Sequence, residues 1–102
     1  MLALPLNAIR FGDALAVAQV VAGNVVDALS GAELLGGLSY PLGLATDGDT
    51  LYVSDRASGV VWAVSAGSAE QIATNLSAPE GLAVDGSRLL VVEEGLDQVS
   101  AI

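Results

Sequence analysis

Hydrophobic runs of four to eight residues recur along this chain, each closed by a short cluster of Gly, Ser, Asp or Asn. Between residues 41 and 78 the runs are clearest. "GLAT" reads as a short strand, and Asp47-Gly48-Asp49 as a tight turn, because Asp and Gly tolerate the positive φ that a hairpin requires. "LYVSD" is the next strand, "RASG" a turn ending at Gly59, and "VVWAVS" a third strand. "AGSA" turns again, and "EQIATNL" makes a fourth. Strands rich in Val, Leu, Tyr and Trp with turn residues every eight to twelve positions predict an all-β chain.

The same pattern is written three times. "PLGLATDGDTLYVSDRA" (residues 41–57) returns as "PEGLAVDGSRLLVVEEG" (79–95), and "PLNAIRFGDALAVAQ" (5–19) falls into register with both. Pro5, Pro41 and Pro79 align, as do Gly12, Gly48 and Gly86. Leu15, Leu51 and Leu89 follow, then Val17, Val53 and Val91, then Val25, Val61 and Val99. The units are 5–40, 41–78 and 79–102, the last incomplete, within a single domain of 102 residues. A period in the high thirties is that of supersecondary repeats that must stack to bury a core.

The strands do not alternate between apolar and polar positions. "ALAVAQVV", "VVWAV" and "RLLVV" are nearly continuous apolar runs, the pattern of strands covered on both faces. Four-stranded blades stacked face to face in a β-propeller meet that condition. The expected fold is therefore about two and a half four-stranded antiparallel propeller blades. The competing assignment makes residues 14–29, "ALAVAQVVAGNVVDAL", an Ala-rich helix, since Ala is the best helix former. Its valines, its internal Gly23-Asn24 and its gapless alignment with a strand-rich segment stand against that.

Composition narrows the chemistry. The chain has no Cys and no His, and its only cations are Arg10, Arg56 and Arg88 against twelve carboxylates, a net charge of −9. That charge disfavours nucleic acid and anionic membranes as partners. No apolar run reaches the length of a transmembrane helix, and the N-terminus lacks the early positive charge of a signal peptide. These features point to a soluble chain and leave its cellular address open. "NLS" at residues 75–77 fits the N-glycosylation triplet. With neither His nor Cys, any metal would be a hard cation held by oxygens, and no nucleophilic Ser-His-Asp set exists.

The pattern P-x-G-L-A-x-D-G…L-Y-V-S-D resembles the NHL-type propeller repeat, and "LSAPEGLAVDGSRLLVVEEG" is similar to members of the gluconolactonase, senescence-marker-protein and luciferin-regenerating-enzyme family. The resemblance implies a six-bladed propeller with a divalent cation, calcium in many members, in its central channel. It implies ligands in the slot between the Pro and the Gly, which here holds Leu6, Leu42 and Glu80. Glu80 is the ligand type, Asn7 lies one position later, and the two leucines depart from the pattern. A cation held there would polarise a lactone or ester carbonyl and acidify a bound water, with Asp85 or Glu93 assisting as general base. Fold alone does not carry that activity. The enzyme assignment stays open between a lactonase-like hydrolase and a non-catalytic module for ligand binding, protein binding or assembly.

The remaining carboxylates have structural readings. Asp47, Asp49 and Asp85 fall in strand-joining turns, where Asp caps its own backbone. Gln19, Asp55 and Glu93 share one repeat position and are expected to bond the turn that follows. Glu93 and Glu94, adjacent in a strand, should point to opposite faces rather than form a dyad. Finally, Ile102 aligns with Val64, so the third unit is expected to lack its fourth strand and to expose an unpaired edge and apolar faces. Missing sequence would complete the ring, or self-association through the blade faces and the open edge would, for instance head to tail. "MLAL" before Pro5 is a candidate strand tail for such a seam.

Overall fold

The structure is a computed structural model and describes residues 5–102; the "MLAL" segment lies outside the described residues. The chain is all-β. Eleven strands form three antiparallel sheets, with no α-helix among the described residues. The first sheet contains β1 (Pro5–Phe11), β2 (Ala14–Gln19), β3 (Asn24–Asp27) and β4 (Glu33–Leu35). The second contains β5 (Pro41–Thr46), β6 (Leu51–Asp55), β7 (Val60–Ser65) and β8 (Ser68–Ala73). The third has three strands, β9 (Pro79–Asp85), β10 (Arg88–Glu93) and β11 (Gln98–Ala101), with a single 3₁₀ turn at Glu94–Leu96. Each sheet is a meander in which sequence neighbours pair.

The helical alternative for residues 14–29 is overturned. Those residues form β2 and β3, paired Ala16↔Asp27 through Gln19↔Asn24 across a turn in which Gly23 has φ +67°. The valines supply the reason: β-branched side chains lose rotamer freedom in a helix but pack well on a pleated surface. Three of them, Val17, Val25 and Val26, are buried.

The first strand of every sheet begins with the aligned proline. Each proline stands opposite the shared polar position, as Pro5↔Gln19, Pro41↔Asp55 and Pro79↔Glu93, and each strand carries a register irregularity beside that pair. Proline has no N–H for a ladder bond and is tolerated at a strand's first residue or at a bulge. The repeat therefore fixes a bulged entry into each sheet.

Two cores hold the sheets together. Ala16, Ala18, Val25, Leu35 and Leu38 of the first sheet meet Leu44, Leu51, Val53 and Val64 of the second, with Ile9, Phe11, Leu34 and Trp62 at the margin. Ala45 and Val61 meet Leu89 and Val91 of the third, flanked by Tyr52, Ile72, Leu76, Leu82 and Val84. Successive residues thus serve opposite cores: Leu44 faces the first sheet and Ala45 the third. This is the physical basis of the unbroken apolar runs in the second unit. Burying a side chain such as Leu51 completely stabilises the fold by about 1.5–3 kcal/mol.

The third sheet differs. Only one of its faces is covered, so burial along β9 alternates, with Leu82 and Val84 turned toward the second sheet and Ala83 exposed. On the other face Val92 and Val99, paired across β10 and β11, are 42% and 64% exposed. An apolar run that is double-sided in the second unit is one-sided here.

Candidate functional site

The residues nominated for chemistry concentrate where the first strands of the sheets begin. There the backbones of neighbouring sheets approach closely, because glycine occupies the contact. A Cβ at Gly43 would overlap the Glu80 carbonyl oxygen of the next sheet. Between them sits Ser54, fully buried, whose Oγ accepts a hydrogen bond from the Gly43 N–H at 2.8 Å and donates to the Glu80 carbonyl oxygen at 2.6 Å. One hydroxyl satisfies two main-chain groups and joins two sheets. Asn7 makes the corresponding link one sheet earlier. Its Nδ2 donates to the Leu42 carbonyl oxygen at 3.4 Å, the repeat equivalent of Glu80, while its Oδ1 accepts from the Ala8 N–H at 2.9 Å.

The Glu80 carboxylate faces a cation of the chain itself. Arg56 donates from Nε to Glu80 Oε2 at 2.9 Å and from Nη2 to Glu94 Oε2 at 2.7 Å. These bonds, Glu80 first and Glu94 second, hold the guanidinium above its already high ordinary pKa. A fork of donors shared by two carboxylates neutralises the charge that would attract a metal.

Glu93 lies within the third sheet and is buried. Its Oε1 accepts from the Ser77 N–H at 3.0 Å, and its Oε2 accepts from Ser100 Oγ at 2.5 Å and Gln98 Nε2 at 3.1 Å. The Ser100 hydroxyl first, then the Ser77 amide and Gln98, hold its carboxyl below the usual carboxylate pKa. A carboxylate so stabilised is a poor proton acceptor, since each donor favours the ionised form it would have to surrender.

Asp55 repeats this arrangement. Its carboxylate accepts from the Ser39 N–H at 2.8 Å and the Tyr40 N–H at 2.5 Å. At Asp55 the side chain reaches back before the proline, and the turn that follows is held by its main-chain carbonyl, which accepts from the Gly59 N–H at 3.0 Å. Asp55 and Glu93 clamp the segment that enters their own sheet, just before the aligned proline. The reason is the bulge: proline opposite the carboxylate supplies no N–H, and the amides immediately before it turn inward to the acid.

Asp85 is at the far end of β9 from Glu80 and pairs with Arg88 across a hairpin, Oδ2 to Nη2 at 2.7 Å. It lies five steps of extended strand from Glu80, on the order of 16 Å. The structure therefore brings Glu80, Glu94 and Arg56 together, places Asn7 at a neighbouring sheet junction, and leaves Asp85 remote. Near the Asp85 hairpin, Asp47, Tyr52, Ile72, Ser87, Arg88 and Ile102 line a cleft of about 130 Å³. Substrate pockets run roughly 300–1,000 Å³.

These positions fit calcium poorly. Among the described residues no three acidic side chains converge as a ligand set. Glu80 is held by Arg56, and both polar atoms of Asn7 are bonded to the backbone. Arg56 and Ser54 are the two residues of this region that sequence reasoning did not single out. A signal existed for each: Ser54 is the one serine in the strand "LYVSD", and Arg56 is one of only three cations.

No protein-family model matches this chain, and a search of curated proteins finds no match either.

Proposed function

We propose that the chain is built of propeller-type blades, two with four strands and one with three. On this reading it serves as a non-catalytic module that associates with protein through its third sheet. The resemblance of its repeats to NHL-type blades supports the fold. One observation carries the choice over a metal-dependent lactonase: the side chains nominated for chemistry are already engaged by their own scaffold. Arg56 neutralises Glu80, three donors hold Glu93 ionised, and Arg88 pairs with Asp85. The exposed apolar face bearing Val92 and Val99 supplies the surface for association.

Calorimetric titration with calcium, followed by hydrolysis assays on a γ-lactone and an aryl ester, tests this reading. The expected result is no saturable calcium binding and no turnover above buffer. Saturable binding that Glu80→Gln abolishes, or turnover that Glu93→Gln abolishes while the fold is intact, would restore the hydrolase reading.

A further inference from the structure

Two Asp-Gly dipeptides stand at one repeat position, Asp47-Gly48 in the second unit and Asp85-Gly86 in the third; the first unit has Phe11-Gly12 there. At Asp-Gly a main-chain nitrogen most readily attacks the side-chain carboxyl before it, because glycine puts no side chain in the way. The chain has no Asn-Gly, and Asn7, Asn24 and Asn75 precede Ala8, Val25 and Leu76, whose side chains hinder the same attack. Two places therefore remain for this chemistry, and the structure holds them differently.

At the first, both reacting groups are occupied. The Gly48 N–H donates to Thr46 Oγ1 at 3.0 Å. Asp47 Oδ1 accepts from the Asp49 and Thr50 N–H groups at 3.0 and 2.9 Å, and Oδ2 accepts from the Tyr52 hydroxyl at 3.3 Å. The Thr50 amide first, then the Asp49 amide, hold this carboxyl below its ordinary pKa. Ring closure expels water from a protonated carboxyl, so every donor that favours the ionised form raises the barrier.

At the second, these constraints are missing. Val84 stands where Thr46 does and Leu90 where Tyr52 does, so neither hydroxyl is repeated. Asp85 and Arg88 close the β9–β10 hairpin over Gly86 and Ser87, and Gly86 takes φ +61°, a conformation natural to glycine. Among the described residues the Gly86 N–H has no acceptor, and the Asp85 carboxylate has no main-chain donor. Arg88 alone holds that carboxylate, Oδ2 to Nη2 at 2.7 Å, and the Asp85 side chain is 60% exposed. An ion pair so exposed to water contributes little and opens easily.

We propose that Asp85-Gly86 is the site at which the folded chain rearranges spontaneously to isoaspartate, while Asp47-Gly48 is protected. The Gly86 nitrogen bonds to Asp85 Cγ, and the carboxyl O–H leaves with the amide proton as water, closing a succinimide ring. Water then re-enters at one of two carbonyls. Attack at Cγ restores aspartate; attack at the Asp85 main-chain carbonyl breaks the original peptide bond and leaves Gly86 joined through the side chain. One water leaves and one returns, so the mass is unchanged and no oxidant is needed. The product inserts a methylene into the main chain at the hairpin and draws the carboxylate away from Arg88. That hairpin sets the register Leu89↔Val84, whose side chains pack between the second and third sheets. The rearrangement therefore loosens the third sheet from the second.

The test ages the full chain at neutral pH and then cleaves it after arginine. Cleavage puts the two sites in separate peptides, 11–56 and 57–88, and electron-transfer fragmentation distinguishes isoaspartate from aspartate at equal mass. In the folded chain isoaspartate should accumulate in 57–88 about tenfold faster than in 11–56, the factor supplied by about 1.4 kcal/mol of barrier. In urea the two rates should converge, since the dipeptide is the same. Thr46→Val, which frees the Gly48 N–H, should speed the reaction in 11–56 of the folded chain. Asp85→Glu, which would have to close a larger ring, should remain unrearranged and keep its Tm on ageing, whereas the Tm of the aged parent chain falls. Equal rates at the two sites in the folded chain would overturn the proposal, as would a preference for 57–88 that persists in urea.

Discussion

Gly43→Ala probes the junction on which the stacked architecture depends. The new Cβ would lie 2.6 Å from Ser54 Oγ and would overlap the Glu80 carbonyl oxygen. The obstructing atom is main chain, so it cannot swing aside as a flexible side chain would. Overpacking of this kind costs about 1–3 kcal/mol. Displacing the Ser54 hydroxyl also breaks its bonds to Gly43 and Glu80, and a buried main-chain group left unpaired costs about 1–3 kcal/mol. The expected loss is about 2–6 kcal/mol, and Ser54→Ala, which creates the unpaired groups without the clash, should lose about 1–3 kcal/mol. In a domain of this size each kcal/mol lowers Tm by about 4–8 °C. Urea and thermal unfolding at fixed protein concentration measure both variants. The double variant should cost less than the sum of the two, because both break the same bonds. A Gly43→Ala protein within 0.5 kcal/mol of the unmodified chain would refute the close approach of β5 and β9.

Other consequences follow from particular residues. Leu51→Ala, at a fully buried site between the first and second sheets, should lose about 2–5 kcal/mol in urea unfolding. Gly59→Ala places a Cβ at positive φ and against the Leu76 carbonyl, and its Tm should fall well below that of an alanine at the open, positive-φ Gly12. The folded pKa of Glu93 lies below its ordinary value of 4.5. Its stabilising contribution is therefore complete above that value and is lost as pH falls through the depressed folded pKa. Unfolding midpoints measured from pH 7 to pH 2 should fall in that acid window, and Glu93→Gln should flatten this part of the profile. Arg56→Met should leave the fold intact while freeing Glu80 and Glu94. Because these pairs are partly solvent-exposed, the small loss of Tm should shrink further in high salt.

Much of the fold was legible because the repeat multiplies each local signal. The turn at Asp47-Gly48-Asp49 matches the structure, where Asp47 Oδ1 accepts from the Asp49 and Thr50 N–H groups at 3.0 and 2.9 Å. The strands "LYVSD" and "VVWAVS" have the boundaries that their flanking turn residues indicate. Glu93 and Glu94 do part company, but not as strand neighbours: Glu93 ends β10 and turns into the sheet, whereas Glu94 opens the 3₁₀ turn and faces Arg56.

What the sequence concealed is pairing between units. Nothing in residue order shows that Arg56 reaches Glu80 and Glu94, or that the side chains of Asp55 and Glu93 reach the segment before their own sheet. Those partners are set by the bulge at each proline and by the stacking of separate sheets, which local periodicity does not encode. Ser54 was hidden for the same reason: its two partners belong to two different sheets.

The most direct test of association through the third sheet is the solution mass of the unmodified chain. Light scattering across a concentration series, with and without calcium, should give a mass approaching two chains of 10.2 kDa at high concentration and no response to calcium. A mass of one chain at every concentration would contradict the account, and a calcium-induced change in mass would return Glu80 to the role of metal ligand.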